Sequence, residues 1–139
     1  MSEGPSFSDI DFREYLKFEK IMASKCKDCG KIHLPPKPIC TKCFGKNLEW
    51  VELPKRGKLV AFTCIAIGPP EMKKEGFDRN NPYCTGVIEI LDGVRIDSRI
   101  QGVDPKMPEN IKIGMPMKAD FIHKEKNGIK YTIIGFRPE

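Results

Sequence analysis

Two CxxC pairs, Cys26-Lys-Asp-Cys29 and Cys40-Thr-Lys-Cys43, constrain this chain of 139 residues more than any other feature. Each CxxC turn presents two sulfurs to one side of a metal, and two such turns can close a tetrahedron around Zn²⁺ with Zn–S distances of about 2.3 Å. A disulfide framework would need export to an oxidising compartment, and Met1-Ser-Glu-Gly-Pro5 has neither the basic start nor the apolar core of a secretory signal. A redox CxxC would be single and set in a βαβ pattern. An iron–sulfur centre is the remaining chemical alternative. Four thiolates saturate a zinc ion and leave no open position for water or substrate, so the predicted site is structural. The surrounding segment has few apolar residues, among them Ile32, Leu34, Leu48, Trp50 and Leu53, too few for a core of their own. Metal binding must therefore supply folding energy, on the order of 10 kcal/mol or more.

Ahead of the cysteines, Ser8 with Asp11 fits a capping box, and Phe7 with Phe12 fits a hydrophobic staple. Phe12, Tyr15, Leu16, Phe18 and Met22 then recur at helical spacing opposite Arg13, Lys17 and Lys20, which predicts a helix ending near Ala23-Ser24. Its apolar stripe either packs on the protein's own core or docks on a partner. A strand is expected at Leu48–Leu53. From Gly57 onward the pattern is of strands and tight turns. Lys58–Ile67 is a long β-rich run, followed by a loop from Gly68-Pro69-Pro70 to Asn81-Pro82. Tyr83–Leu91 and Val94–Ile100 flank Asp92-Gly93, and alternating segments around Met117–Phe121 and Ile129–Ile133 flank Asn127-Gly128, both two-residue hairpin signals. Five strands at this spacing suit a small closed barrel of the OB type, which removes exposed edges. The expected fold class is mainly β: an N-terminal helical segment (1–25), a rubredoxin-like zinc ribbon (26–55) and a five-stranded OB-fold barrel (56–139).

No apolar stretch exceeds the nine residues Leu59–Ile67, too short to span a bilayer, so a cytoplasmic chain without membrane contact is expected. The net charge of +5 is spread thin, whereas a nucleic-acid surface shows a denser basic stripe. Cys64 and Cys84 read as buried small apolar residues, and His33 and His123 as packing or strand-end histidines. No Cys/His or Ser/His/Asp grouping is legible around them. Lys73, Lys74 and Arg79 lie in the loop after the long strand, where they either remain solvated or contact phosphates.

The chain as a whole resembles the zinc-ribbon plus OB-fold acyl-CoA-associated proteins grouped as domain of unknown function thirty-five. The resemblance runs through Cys26/Cys29-Gly30, Pro35-Pro36, Cys40/Cys43, Leu48-Glu-Trp50 and Gly57-Lys-Leu59. It continues in Pro82-Tyr83, Gly86-Val87, Leu91-Asp92-Gly93-Val94, Gly114-Met115 and Phe136-Arg-Pro138. The second knuckle departs from the usual pattern, with Thr41 in place of proline and Phe44 before Gly45. The resemblance implies a non-catalytic accessory or scaffold subunit that binds a thiolase-fold enzyme and helps form an acyl-CoA site. In archaea such a protein joins acetoacetyl-CoA thiolase to hydroxymethylglutaryl-CoA synthase. CoA carries anionic phosphates and a largely uncharged pantetheine arm, so Lys73, Lys74 and Arg79 near Tyr83 are the candidate contacts. The rival reading is a zinc-ribbon OB-fold protein that binds single-stranded nucleic acid. It is disfavoured by the middle hairpin, which sets Glu89, Asp92 and Asp97 against Arg95 and Arg99 and has only Tyr83 as a nearby aromatic. A self-sufficient thioesterase lacks a legible nucleophile and base.

Overall fold

The computed structural model describes residues 7–139. Helix α1 (Asp9–Lys17) starts where the capping signals place it, with the Asp11 N–H donating to Ser8 Oγ at 3.2 Å. Phe7 is buried against Trp50, and Phe12 and Leu16 pack into the main core. The helix ends earlier than expected. Phe18 caps it, Glu19 takes a left-handed φ of 58°, and the chain turns back into strand β1 (Met22–Cys26). Phe18 and Met22 fit a helical stripe by spacing, but in the fold Phe18 is exposed and Met22 lies in a sheet. Pairing with two neighbouring strands overrides the local periodicity.

Strand β1 is the centre of an antiparallel three-stranded ribbon, between β2 (Ile32–His33) and β3 (Leu48–Glu52). It spans the division expected between residues 25 and 26. Ser24, fully buried on β1, accepts the Lys37 N–H at 2.8 Å and ties the proline-rich segment between the knuckles to the ribbon.

The second unit is a closed five-stranded barrel built from β4 (Arg56–Ile65), β5 (Tyr83–Leu91), β6 (Val94–Ile100), β7 (Pro116–Ala119) and β10 (Gly135–Pro138). Its order is β10-β6-β5-β4-β7, with β10 parallel to β6 and antiparallel to β7. Leu59, Ile88, Ile96, Ile100, Met117 and Phe136 fill it. The count of five strands agrees with expectation, but the last strand is a different one. The hairpin of β8 (Ile122–Lys126) and β9 (Ile129–Ile133) is a separate two-stranded sheet inserted between β7 and β10. Closure falls to Gly135-Phe-Arg-Pro138, too short for alternation to reveal. Gly135 passes so close to the neighbouring backbone that a Cβ there would sit 2.6 Å from the Asp120 carbonyl oxygen.

Both predicted turns form, by different geometries. Asn127 and Gly128 both have positive φ, 53° and 80°. At the other turn only Gly93 does (75°), and a bulge between Glu89 and Leu91 absorbs the difference. The long loop contains a short helix, α2 (Pro70–Lys74), with a proline where its missing N–H is no loss. Among the described residues no helix is long and apolar enough to cross a membrane.

Candidate metal centre

The four Sγ atoms of Cys26, Cys29, Cys40 and Cys43 lie within 4.8 Å of one another. Cys26 and Cys43 are 3.6 Å apart and Cys29 and Cys40 are 3.4 Å apart. Sulfurs at the corners of a tetrahedron with Zn–S of about 2.3 Å stand roughly 3.8 Å apart, so the cage fits zinc with little movement. Cys26 and Cys40 are buried in a small cluster with Phe7 and Leu48, backed by Trp50, while Cys29 and Cys43 face solvent.

Backbone geometry aims the sulfurs. In each knuckle the first cysteine's N–H donates to the residue five positions on, and its carbonyl accepts from the residue four positions on. Backbone N–H groups also turn toward the sulfurs, as Lys42 N–H does toward Cys40 Sγ at 3.4 Å. The Cys43 backbone N–H lowers the Cys40 thiol most; burial opposes it, and His33, the Lys42 N–H and Cys29 lower it further, to about 5. The Gly45 N–H lowers Cys43, but hydrogen bonding to Cys26, burial, and the Cys29 and Cys40 sulfurs outweigh it and push that thiol up to about 12. For Cys29 the Lys31 N–H lowers, while Cys40, burial and Cys26 raise it above its ordinary value. Cys29 and Cys43, both pushed above the ordinary thiol value, must therefore shed protons as metal enters, and the cage then has no free coordination position.

His33 is the packing, strand-end histidine that the sequence suggests, with a role toward the metal site that sequence reasoning did not assign. It is buried on β2 beside Cys40, and its imidazole favours the Cys40 thiolate. Its place between the knuckles was the only available signal. His123 is engaged elsewhere, accepting or donating to Thr132 Oγ1 at 2.9 Å through Nδ1 and meeting Glu19 at 2.8 Å through Nε2.

Lys73 and Lys74 are exposed on α2 and Arg79 is exposed in the following turn. Tyr83 is buried, with its ring 5.3 Å from Phe77 and its hydroxyl beside Gly68. Cys64 and Cys84 stand directly opposite each other on β4 and β5, Cα atoms 4.1 Å apart, and are joined as a disulfide. The expectation of two separate apolar cysteines is corrected. Cross-strand register, which sequence does not carry, makes them partners.

A four-thiol knuckle pair on a three-stranded ribbon that runs into a closed five-stranded barrel defines a zinc-ribbon OB-barrel protein. Two family models match: the rubredoxin-like zinc ribbon domain of ChsH2 over residues 13–49 and the ChsH2 C-terminal OB-fold domain over residues 50–121. The chain belongs to this ChsH2-type zinc-ribbon and OB-fold family. It is 32% identical over 109 residues to a DUF35 domain-containing scaffold protein of Methanocaldococcus jannaschii, covering 78% of this chain and 72% of that one. It is 35% identical over 78 residues to the benzoylsuccinyl-CoA thiolase subunit BbsA of Thauera aromatica, covering 56% of this chain and 49% of that subunit. In fold it is similar to a chain of the Ltp2-ChsH2(DUF35) aldolase structure, with a TM-score of 0.75 at 24% identity over 99% of this chain and 98% of that one.

Proposed function

We propose that this chain is a non-catalytic accessory subunit that binds a thiolase-fold enzyme and helps it hold acyl-CoA, with one structural zinc on Cys26, Cys29, Cys40 and Cys43. The observation that carries the reading is the family match across both ribbon and barrel, together with relatives named as a scaffold protein and as a thiolase subunit. The side chains support it. Four cysteines face the metal cage, the other two form a disulfide, His33 serves Cys40 and His123 is held by Thr132 and Glu19. The cysteines and histidines of the described residues thus have structural partners.

The barrel face over β4, β5 and β6 fits a protein or an uncharged ligand arm better than a nucleic-acid strand. A cleft of about 420 Å³ there is lined by small residues such as Ala61, Thr63, Thr85 and Gly86, with half-buried Phe62 and acidic Asp97. A strand would want stacked aromatics along a positive groove.

Affinity purification of the native protein should bring down a thiolase-fold enzyme, identified by mass spectrometry, with hydroxymethylglutaryl-CoA synthase as a second member if the assembly is of the archaeal kind. The pure chain should hold one zinc and leave acyl-CoA intact. Thioester turnover by the pure chain would overturn the accessory reading. Lys73, Lys74 and Arg79 are assigned to the CoA phosphates, with Tyr83 supporting that loop from beneath. The Lys73→Ala/Lys74→Ala/Arg79→Ala variant should lower CoA affinity of the reconstituted assembly, and an unchanged affinity would reject that assignment.

A further inference from the structure

The two knuckles share one backbone plan. In the first, the Cys26 N–H donates to the Lys31 carbonyl at 2.9 Å and the Gly30 N–H to the Cys26 carbonyl at 2.8 Å. In the second, the Cys40 N–H donates to the Gly45 carbonyl at 2.9 Å and the Phe44 N–H to the Cys40 carbonyl at 2.9 Å. Gly30 and Phe44 therefore occupy the same position, and both are left-handed, at φ 82° and 62°. Glycine adopts this conformation freely, whereas a bulky L-residue there is strained. The first knuckle follows that rule and the second breaks it.

The backbone bonds of the knuckle hold this conformation, but the phenyl ring itself adds little packing to offset its cost. Phe44 is 77% exposed, the highest value among the large apolar side chains exposed in the described residues. Space alone does not explain the difference, since a Cβ at Gly30 would also meet nothing within 4 Å. A backbone outlier whose side chain is mostly exposed and adds little packing points to a role outside the fold. The neighbouring chemistry says of what kind. Ile39, immediately before the knuckle, is 43% exposed. Lys37, Lys42 and Lys46 flank the two apolar side chains in sequence and are exposed. None of the three forms an ion pair with any described residue.

We propose that the tip of the second knuckle is a protein-docking site, in which Phe44 enters an apolar socket on the thiolase-fold partner and Lys37, Lys42 and Lys46 meet carboxylates on its rim. The assignment rests on the accessory-subunit reading above and deepens it by naming the contact surface. An exposed aromatic anchor flanked in sequence by lysines with no carboxylate partner among the described residues has the anatomy of an interface hot spot. A nucleic-acid strand is the weaker occupant. Stacking successive bases needs several free rings, and the other aromatics of this region, Phe7, Tyr15 and Trp50, are packed on one another.

The test uses the full-length protein and the purified thiolase-fold enzyme identified by co-purification. Phe44→Gly removes the ring and relieves the backbone, and Phe44→Asn does so with a residue that tolerates left-handed φ. Both should keep the zinc and match or exceed the wild-type Tm while partner affinity falls at least about tenfold. Lys42→Glu/Lys46→Glu should weaken binding comparably and flatten its dependence on salt. Partner affinity within about twofold of wild type in all three variants overturns the docking site while leaving the accessory reading intact. If no thiolase-fold enzyme co-purifies or binds, the accessory reading fails and the docking site with it. An oligo-dT strand bound by the wild type and lost in Phe44→Gly would assign the tip to nucleic acid and overturn the proposal.

Discussion

His33 is buried on a two-residue strand, and its imidazole lowers the Cys40 thiol, so it acts on a metal ligand without being one. Groups that orient or hydrogen-bond a ligand typically change metal affinity about 10- to 100-fold when removed. His33→Phe should accordingly bind zinc about tenfold more weakly, in competition with a chromophoric chelator. Equal affinity would return His33 to the role of packing residue that its sequence position suggests. The same cage explains how pH should act on the metal. Cys43 holds its proton up to about 12 without metal, so acidification favours the protonated thiols and expels the ion, whereas raising the pH strengthens binding.

Helix α2 depends on charge more than on its own length, for five residues are far too few to be stable alone. Met72 is its one buried side chain. Glu75, at its C-terminal end, pairs with Lys124 on β8 and lies 3.5 Å from Arg99 on β6, joining the loop to both hairpin and barrel. Arg99 also reaches the Met72 sulfur at 3.4 Å and sits 5.6 Å from the Phe77 ring centroid. Burial alone would raise the Glu75 pKa, but the hydrogen bond from Lys124 and the charges of Arg99 and Lys124 outweigh it and leave the carboxyl below its ordinary value. A carboxylate depressed in the folded state stabilises it above the unfolded pKa, and that contribution disappears as pH falls through the folded pKa. Glu75→Gln should therefore speed hydrogen exchange across residues 70–81 at neutral pH, at a cost of about 1–2 kcal/mol. The gap from wild type should close in acid. A gap that persisted or widened in acid would rule out the ion pairs as its cause.

The buried cysteines form a small cluster with Phe7 and Leu48, whereas Leu16, Ile21 and Leu53 share the main core with the barrel strands. Trp50, the single tryptophan, reports on the small cluster, because it backs the buried cysteines and meets Phe7 at 4.9 Å and Tyr15 at 5.0 Å. Stripping the metal with a chelator should shift Trp50 emission to longer wavelength while the far-ultraviolet signal of the barrel survives, since the cluster around Cys26 and Cys40 is separate from the main core that fills the barrel. Emission unchanged after complete zinc loss would show that the ribbon stands without its metal. Much of this architecture was already written in the chain: the thiol ligands by their spacing, the start of α1 by Ser8, strands β5 and β6 by alternation around Asp92-Gly93, and the β8–β9 turn by Asn127-Gly128. Such signals are local, carried by residues within a few positions of one another, and survive without knowledge of the fold. Only the tertiary structure decided that residues 22–26 are strand and not helix, that Gly135–Pro138 closes the barrel, that Cys64 faces Cys84, and that Tyr83 turns inward. Each of these depends on which distant strand lies alongside, and a short apolar run fits a period of two as well as one of 3.6 until that neighbour is in place.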